Sequence, residues 1–485
     1  MINIVSKSID GGKWQSISVL LCAVIQYSAI IIISNNILPS EYGIVILSFS
    51  IIEFSFLFIN AGLGSALIQK DKIDLSQIRS AYTITILFAI ICYLLLITIS
   101  STIAQFFNDE LLIDVLYLLG IIFIFRAFSS VPKSLLHRDL EYKKLMIIDI
   151  LSFFIGYFIV GIPLVYNGFS YWSIIYAALV QALILGILSF IYRPHNIIPF
   201  ISIRSVKKIL NFGMGLTISR FFNFFGKEGD KFVVGRLFDS GLLGIYGMAA
   251  KLIMLPVKIL GNIIDHVLFP ILSRINNERK IYIYLRVINY VSLALIVGLI
   301  VLSSFLEELV MLTLGDSWLG ILVPLYVMLI ACIFKIIIRI CDVFVRAIGA
   351  VYKGANQKII MTLLIFCFSY IGSYWGIVGV AVGVNLAVFI TMIKMLNLCS
   401  ELMGLDKSPL SFKKIIPFSI LGLSMSLITF TLKPFLLQGI DNLLLVVSII
   451  VLINIGLISF IMHLAYPSLF RKIYVMMFRE LKFNN

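Results

Sequence analysis

Charge is scarce in this sequence. Asp, Glu, Lys and Arg together make up 13% of the 485 residues, whereas ordinary soluble domains contain roughly 25%. Hydrophobic residues make up 61% of the chain, and its mean hydropathy is +1.09. Water-soluble globular chains do not combine these values, so the composition excludes a soluble enzyme or binding module and indicates a membrane protein.

Residues suited to metal or covalent chemistry are also few. The four His residues have no ligand spacing, and the six Cys residues form no C-x-x-C pair. The sequence contains no Gly-rich phosphate loop or nucleophile motif, and no loop is long enough to fold as a catalytic domain. We therefore predict no metal, no cofactor and no enzymatic activity, and we interpret the cysteines as small buried hydrophobic side chains.

Long apolar stretches occupy most of the chain. One helical crossing of the bilayer core needs about twenty apolar residues, and about fourteen such stretches are separated by short polar segments. The sequence therefore predicts an all-α polytopic membrane protein with about fourteen transmembrane helices. The predicted spans begin near Trp14, Tyr42, Arg79, Leu111, Lys144, Ser170, Phe212, Gly241, Arg286, Trp318, Lys358, Trp375, Ile416 and Leu443.

Lys and Arg are unevenly distributed between alternate loops. The loops on the side of the N-terminus hold most of the 38 Lys and Arg residues, whereas the opposite loops hold only Arg236 and Lys433. Because cytoplasmic loops retain positive charge, both termini are predicted to be cytoplasmic, in a bacterial inner membrane. Topology and anionic membrane lipids then explain the net charge of +14, and nucleic acid is not a predicted partner.

A weak internal repeat divides the chain into two halves. Tyr42 and Gly43 recur as Tyr246 and Gly247, 204 residues later. Because an offset of six helices returns the chain to the same membrane side, the halves are expected to be parallel repeats. The predicted domains are a six-helix lobe over 1–192, an amphipathic cytoplasmic linker over 193–211, a second six-helix lobe over 212–400, and two further helices with a basic tail over 401–485.

Several cations lie inside predicted spans, where each costs roughly 2.5 to 3.5 kcal/mol when nothing relieves it. They are Arg126, Arg220, Lys227, Lys231, Lys251, Lys258, Lys335 and Arg339. Together with nearby polar residues they recur at spacings of three, four or seven, which places each set on one helix face. Such faces in one bundle predict an electropositive central cavity that attracts an anionic head group such as a pyrophosphate.

These charges yield two groups of candidate site residues. The predicted substrate-binding cations are Arg126, Arg220, Lys227, Lys251, Lys258, Lys335 and Arg339. The carboxylates predicted to couple transport to a H+ or Na+ gradient are Glu53, Asp149, Asp265 and Asp342. In the alternative interpretation, cations near span ends snorkel to the surface and the others form structural ion pairs with carboxylates. The sequence leaves both interpretations open.

Six segments carry a family resemblance. They are 37–43, 62–70 and 132–144 in the first half, and 230–237, 243–246 and 268–274 in the second. In these segments the chain resembles the polysaccharide exporters and lipid-linked oligosaccharide flippases of the multidrug/oligosaccharidyl-lipid/polysaccharide flippase superfamily. Their spacing is similar to that of the branch that exports O-antigen, colanic-acid or teichuronic-acid repeat units.

The resemblance implies two six-helix lobes plus two additional C-terminal helices around a cationic cleft that opens alternately to each side. It implies that the protein translocates an undecaprenyl-pyrophosphate-linked oligosaccharide from the cytoplasmic to the periplasmic leaflet. The implied partners are this substrate, membrane lipids, and polysaccharide polymerase and assembly proteins. The alternatives are a cation-coupled drug exporter of the same superfamily, a membrane glycan polymerase or ligase, and a non-transporting scaffold. Short outward loops disfavour the polymerase.

Overall fold

The computed structural model of the protein describes residues 2–60, 64, 67–68 and 73–404. These residues form helices joined by short turns, and no β-strand occurs among them, which confirms the predicted all-α class. The predicted spans that begin near Ile416 and Leu443, and most of the predicted 401–485 segment, lie outside the described residues.

The helices alternate with short connections along the described chain. Those of the first half are α1 (Ile2–Ser34), α2 (Pro39–Asn60), α3 (Leu75–Phe107), α4 (Leu111–Leu119), α5 (Ile122–Arg138), α6 (Tyr142–Phe153), α7 (Ile162–Tyr166) and α8 (Trp172–Tyr192). Those of the second half are α9 (Ile203–Leu237), α10 (Ser240–Ile263), α11 (Phe269–Arg274), α12 (Asn277–Ser303), α13 (Leu306–Leu314), α14 (Leu322–Ile348), α15 (Val351–Gly372) and α16 (Gly376–Met403). Short π-helical segments, Phe154–Gly161 and Ile264–Leu268, join α6 to α7 and α10 to α11.

In the described part of the chain, 10 helical segments are long and apolar enough to cross a membrane. The last of them, Val351–Met403, contains both α15 and α16. The segments agree with the predicted spans except at α9, which is not among them. The chain is therefore a multi-pass membrane protein, while the number of fourteen helices stays a prediction.

The chain forms two compact units. The larger unit contains Met1–Tyr284 and Gly320–Pro409, and the smaller contains Leu285–Leu319 and Leu410–Asn485. Among the described residues, the smaller unit comprises the greater part of α12 and all of α13. Every contact that builds the site described below lies within the larger unit.

Helices α2 and α10 cross with their backbones in contact. A Cβ atom added to Gly43 would lie 1.8 Å from the carbonyl oxygen of Ser240, and one added to Gly244 would lie 1.8 Å from that of Pro39. Only glycine permits this approach, since any side chain would overlap the opposite backbone. The crossing is at the N-terminal ends of both helices, which the charge distribution predicts to be their outward ends.

The segment before α9 is extended and packs along α3. The guanidinium of Arg79 donates a hydrogen bond to the carbonyl oxygen of Ile198 at 3.1 Å, and the backbone N–H of Phe200 donates to the Thr83 hydroxyl at 3.1 Å. Helix begins only at Ile203, where it is continuous with α9. The predicted amphipathic linker is thus extended over its first half, because distant side chains of α3 bind its backbone.

Candidate functional site

A central cavity of about 1000 Å³ lies among helices α1, α2, α5, α6, α8, α9 and α10. Apolar, polar and charged side chains all contribute to its lining. The charged residues are Glu53, Arg126, Lys133, Asp149, Glu228, Lys231, Lys251 and Lys258. Two of the cationic helix faces that the sequence predicts thus contribute to one cavity, from α5 and α10, whereas Arg220 and Lys227 of the predicted α9 face do not line it.

Three cations of the cavity are paired with carboxylates. Arg126 contacts Glu53 at 2.5 Å between α5 and α2, and Lys133 contacts Asp149 at 2.6 Å between α5 and α6. The third pair, Lys231 and Glu228, lies within α9 at 2.6 Å and receives a hydrogen bond from the hydroxyl of Ser50. Pairing offsets part of the cost of placing these charges inside the membrane.

Lys251 has no carboxylate partner among the described residues. Its ammonium donates a hydrogen bond of 3.0 Å to the hydroxyl of Tyr42, and its Nζ lies 5.5 Å from the centre of the same ring. Tyr27 donates a hydrogen bond of 3.1 Å to the backbone carbonyl oxygen of Lys251. Tyrosines of α1 and α2 thus hold this cation in place without neutralising its charge.

Lys258 lies two turns further along α10 and also lines the cavity. Its side chain is exposed, and no carboxylate within the described ranges lies close enough to form an ion pair. With Lys251 it gives the cavity two uncompensated positive charges beside three ion pairs. A hydrated cavity with this charge attracts anions, and an anion that carries two charges would neutralise it.

Other predicted site residues lie away from the lining of this cavity. Asp265 accepts hydrogen bonds from the guanidinium groups of Arg339 and Arg346, the latter at 2.6 Å. Asp342 contacts Arg346 at 3.2 Å and Lys358 at 3.3 Å. Arg339 and Arg346 of α14 are therefore paired with carboxylates.

The remaining predicted cations lie at three different places outside the lining of the central cavity. Lys335 directs its Nζ at the sulfur of Met254, 3.8 Å away, and Met254 itself lines the central cavity. Lys227 is exposed on α9 and does not belong to the lining. Arg220 lines a second, smaller cavity. The proposed binding roles of these residues stay predictions, but Lys227, Lys335, Arg339, Asp265 and Asp342 do not line the central cavity.

Sequence reasoning did not assign Glu228, Lys133 or Lys231 to the substrate site. All three line the cavity. A signal was present in the sequence, because Glu228 precedes Lys231 by three residues and so shares its helix face. Tyr27 and Tyr42, which position Lys251, carried no such signal, because their role depends on contacts between α1, α2 and α10.

Comparisons with known proteins agree with this architecture. The sequence profile of a family described as "Polysaccharide biosynthesis protein" matches residues 36–323. The teichuronic acid biosynthesis protein TuaB of Bacillus subtilis (strain 168) is 26% identical over 349 residues, 70% of this chain and 71% of that protein. The lipopolysaccharide biosynthesis protein WzxC of Escherichia coli (strain K12) is 22% identical over 402 residues, 80% of either chain.

A solved structure shows the same fold. The lipid II flippase MurJ in its inward closed conformation superimposes with a TM-score of 0.76 at 16% sequence identity. The superposition covers 94% of this chain and 99% of that structure. At this identity the likeness establishes the fold alone.

Proposed function

This chain belongs to the family of polysaccharide biosynthesis proteins, and we propose that within it the protein is a flippase for a lipid-linked glycan. It moves an undecaprenyl-pyrophosphate-linked oligosaccharide from the cytoplasmic to the periplasmic leaflet by alternating access through the central cavity. No covalent bond changes during this transfer. Relatives named for teichuronic acid and lipopolysaccharide biosynthesis support a glycan as the transported group.

The pair of unpaired cations in the central cavity, Lys251 and Lys258, is the observation that carries this proposal. A pyrophosphate that joins a lipid to a sugar carries two negative charges, which equals the excess of positive charge in the cavity. Charge-assisted hydrogen bonds to phosphate oxygens are about twice as strong as neutral ones. The cavity therefore suits the part of the substrate that cannot cross hydrocarbon unaided.

Alternating access requires a contact that closes one end of the cavity and can separate. The crossing of α2 and α10 at Gly43 and Gly244 supplies such a contact. It lies beside Tyr42 and Val45 of the lining, whereas Lys258 lies further along α10. We infer that this crossing closes the outward end, and that its opening exposes the bound glycan to the periplasm.

Carboxylates of the cavity are the candidates for coupling to an ion gradient. Glu53 and Asp149 both line the cavity and each is paired with a cation. Binding of H+ or Na+ at either carboxylate would release Arg126 or Lys133 for the substrate phosphates. We propose this exchange of partners as the coupling step, with Asp265 and Asp342 as candidates outside the cavity.

Transfer in reconstituted vesicles tests the proposed function. The purified protein is placed in liposomes that contain undecaprenyl-pyrophosphate-linked oligosaccharide with a fluorophore on the sugar, and a membrane-impermeant quencher reports which leaflet holds it. We expect the protein to equilibrate the fluorophore between leaflets, with no change in the mass of the lipid. The same labelled oligosaccharide without its lipid serves as the matched control and is expected to stay where it is.

Two results would contradict the proposal. One is a rate of transfer equal to that of protein-free liposomes. The other is a glycan of altered length or attachment, which would identify a polymerase or ligase.

A further inference from the structure

One wall of the central cavity contributes polar but no charged side chains to the described lining. It consists of α1, the π-helical segment Phe154–Gly161 and α8, and we call it the neutral wall. Its polar lining residues are Gln15, Ser18, Gln26, Tyr27, Tyr157 and Gln181. All charged residues of the described lining lie instead on α2, α5, α6, α9 or α10. The cavity therefore offers an uncharged polar group a surface of its own.

Close backbone packing joins the elements of the neutral wall. A Cβ atom added to Gly156 would lie 2.6 Å from the carbonyl oxygen of Ala177 and 2.6 Å from the Cβ atom of Gln181. One added to Gly161 would lie 3.0 Å from side-chain atoms of Ala177 and of Ile33 in α1. The two glycines thus let the π-helical segment lie directly on α8 and beside α1, which fixes the position of Gln181.

Two side chains of the neutral wall are nearly buried yet have no hydrogen-bond partner among the described residues. Gln181 is 9% exposed and Tyr157 is 5% exposed, and both line the cavity. Because buried amides and hydroxyls almost always form hydrogen bonds, these two groups indicate a partner in the space that they face. Ala178 and Ala182 flank Gln181 on α8 and also line the cavity, and their small side chains leave room beside the amide.

The chemistry of the neutral wall complements a sugar better than a phosphate. Amides and hydroxyls both donate and accept hydrogen bonds, as sugar hydroxyl and acetamido groups do, whereas ionised phosphate oxygens only accept them. The ring of Phe153, which also lines the cavity, lies 6.0 Å from that of Tyr157 between centres, at an angle of 26°. Aromatic rings of this kind supply apolar area for the C–H groups of a sugar.

From this geometry we propose that the neutral wall binds the sugar attached to the pyrophosphate, and that Gln181 and Tyr157 determine which sugar is accepted there. The inference rests on the proposed function and names the part of the cavity that recognises the glycan. Tyr27 of the neutral wall donates a hydrogen bond of 3.1 Å to the backbone of Lys251, so this wall begins beside the cations assigned to the pyrophosphate. A site that binds a hydroxyl group rejects an analogue without it, because the buried partner is then left unpaired.

Binding of four undecaprenyl pyrophosphates to the purified protein tests this inference. One carries a methyl group in place of a sugar, which keeps the charge of the diester, and the others carry a single glucose, galactose or N-acetylglucosamine. We expect at least one sugar-bearing lipid to bind at least about fivefold more tightly than the methyl ester, since hydrogen bonds to a buried amide and hydroxyl favour binding. Gln181→Leu combined with Tyr157→Phe is expected to remove this preference and to leave the affinity for the methyl ester within about twofold.

Gln105→Leu combined with Tyr176→Phe is the matched control. Gln105 is exposed on α3, Tyr176 is 36% exposed on α8, and neither lines the central cavity. We expect this protein to keep the wild-type preference.

The outcomes distinguish the two proposals. If wild-type protein binds none of the four lipids, the cationic site of the proposed function is wrong and the sugar site falls with it. If it binds all four with equal affinity, or if the Gln181→Leu and Tyr157→Phe double variant keeps the full preference, the sugar site alone is wrong.

A second measurement uses wild-type protein and so does not depend on the folding of a variant. The preferred lipid, with a diazirine on its sugar, is bound and photolysed, and the labelled peptides are identified. We expect labels in 153–161 and in 174–185. Labels confined to α9 and α10 would place the sugar against the opposite wall and overturn the inference.

Discussion

Lys258→Ala is expected to lower the rate of lipid-linked glycan transfer in reconstituted vesicles at least about tenfold. Lys258 is one of two cations in the central cavity that lack a carboxylate partner in the described part of the chain, so its charge is available to the substrate. A hydrogen bond to a charged group contributes about 1.5 to 3 kcal/mol, and every 1.4 kcal/mol corresponds to a factor of ten. The fold should persist, because the alanine leaves no carboxylate unpaired.

The matched control for this variant is Lys353→Ala. Lys353 is 54% exposed and pairs with Glu401, which is 65% exposed, and exposed pairs of this kind contribute little to stability. We expect Lys353→Ala to transfer glycan at the wild-type rate. A Lys258→Ala protein of normal abundance that also transfers at the wild-type rate would show that the cavity does not use this cation.

Gly244→Ala is expected to abolish most of the transfer by preventing contact between α2 and α10. The new methyl group would lie 1.8 Å from the backbone oxygen of Pro39, and a backbone atom cannot move aside as the end of a side chain can. Overpacking of this kind costs about 1 to 3 kcal/mol and sometimes more. The closed state of the crossing should therefore lose population, and a cycle that passes through it should slow at least about tenfold.

Labelling of a cysteine near the crossing measures this effect directly. Val45 is buried and lines the central cavity close to Gly43, so Val45→Cys in a background without the native cysteines reports opening of that end. We expect an impermeant reagent on the outer side to label it faster when Gly244→Ala is present. Gly298→Ala is the control, since its Cβ would meet nothing within 4 Å. If the Gly244→Ala and Gly298→Ala proteins show equal labelling of Val45→Cys and equal transfer, the assignment of the crossing as a closure is wrong.

Helical periodicity made part of the site predictable from the sequence. A residue's helix face follows from its position in the repeat of 3.6 residues, which is why Lys251 and Lys258 were assigned to one face of α10. The high cost of an unrelieved charge in the membrane then pointed to a shared cavity. Both residues, together with Arg126, do line one cavity.

Periodicity could not predict which carboxylate pairs with which cation. Glu53 and Arg126 pair across 73 residues of sequence, and Asp265 pairs with Arg339 across 74, so both pairs depend on how α2, α10 and their neighbours are rotated about their axes. Periodicity fixes which residues share a face but not which way that face points. For this reason the face of α14 that carries Arg339 was expected in the central cavity, whereas it pairs with Asp265.

The extended segment before α9 shows a second limit. The predicted linker over 193–211 is helical only from Ile203. Hydrogen bonds from Arg79 and to Thr83 of α3 bind its backbone in the extended form. Such tertiary contacts override local helix propensity, and a single sequence does not reveal them.

The preference of the purified protein for pyrophosphate over monophosphate tests most directly whether two uncompensated cations select the substrate. The measurement compares the affinities for two undecaprenyl-linked oligosaccharides that differ only in having a pyrophosphate or a single phosphate between lipid and sugar. We predict at least about tenfold tighter binding of the pyrophosphate form, because it satisfies both Lys251 and Lys258, and we predict that Lys251→Gln combined with Lys258→Gln removes this preference. Equal affinity for the two lipids in wild-type protein would contradict selection of the substrate by these two cations. An unchanged preference in the double variant would contradict it as well.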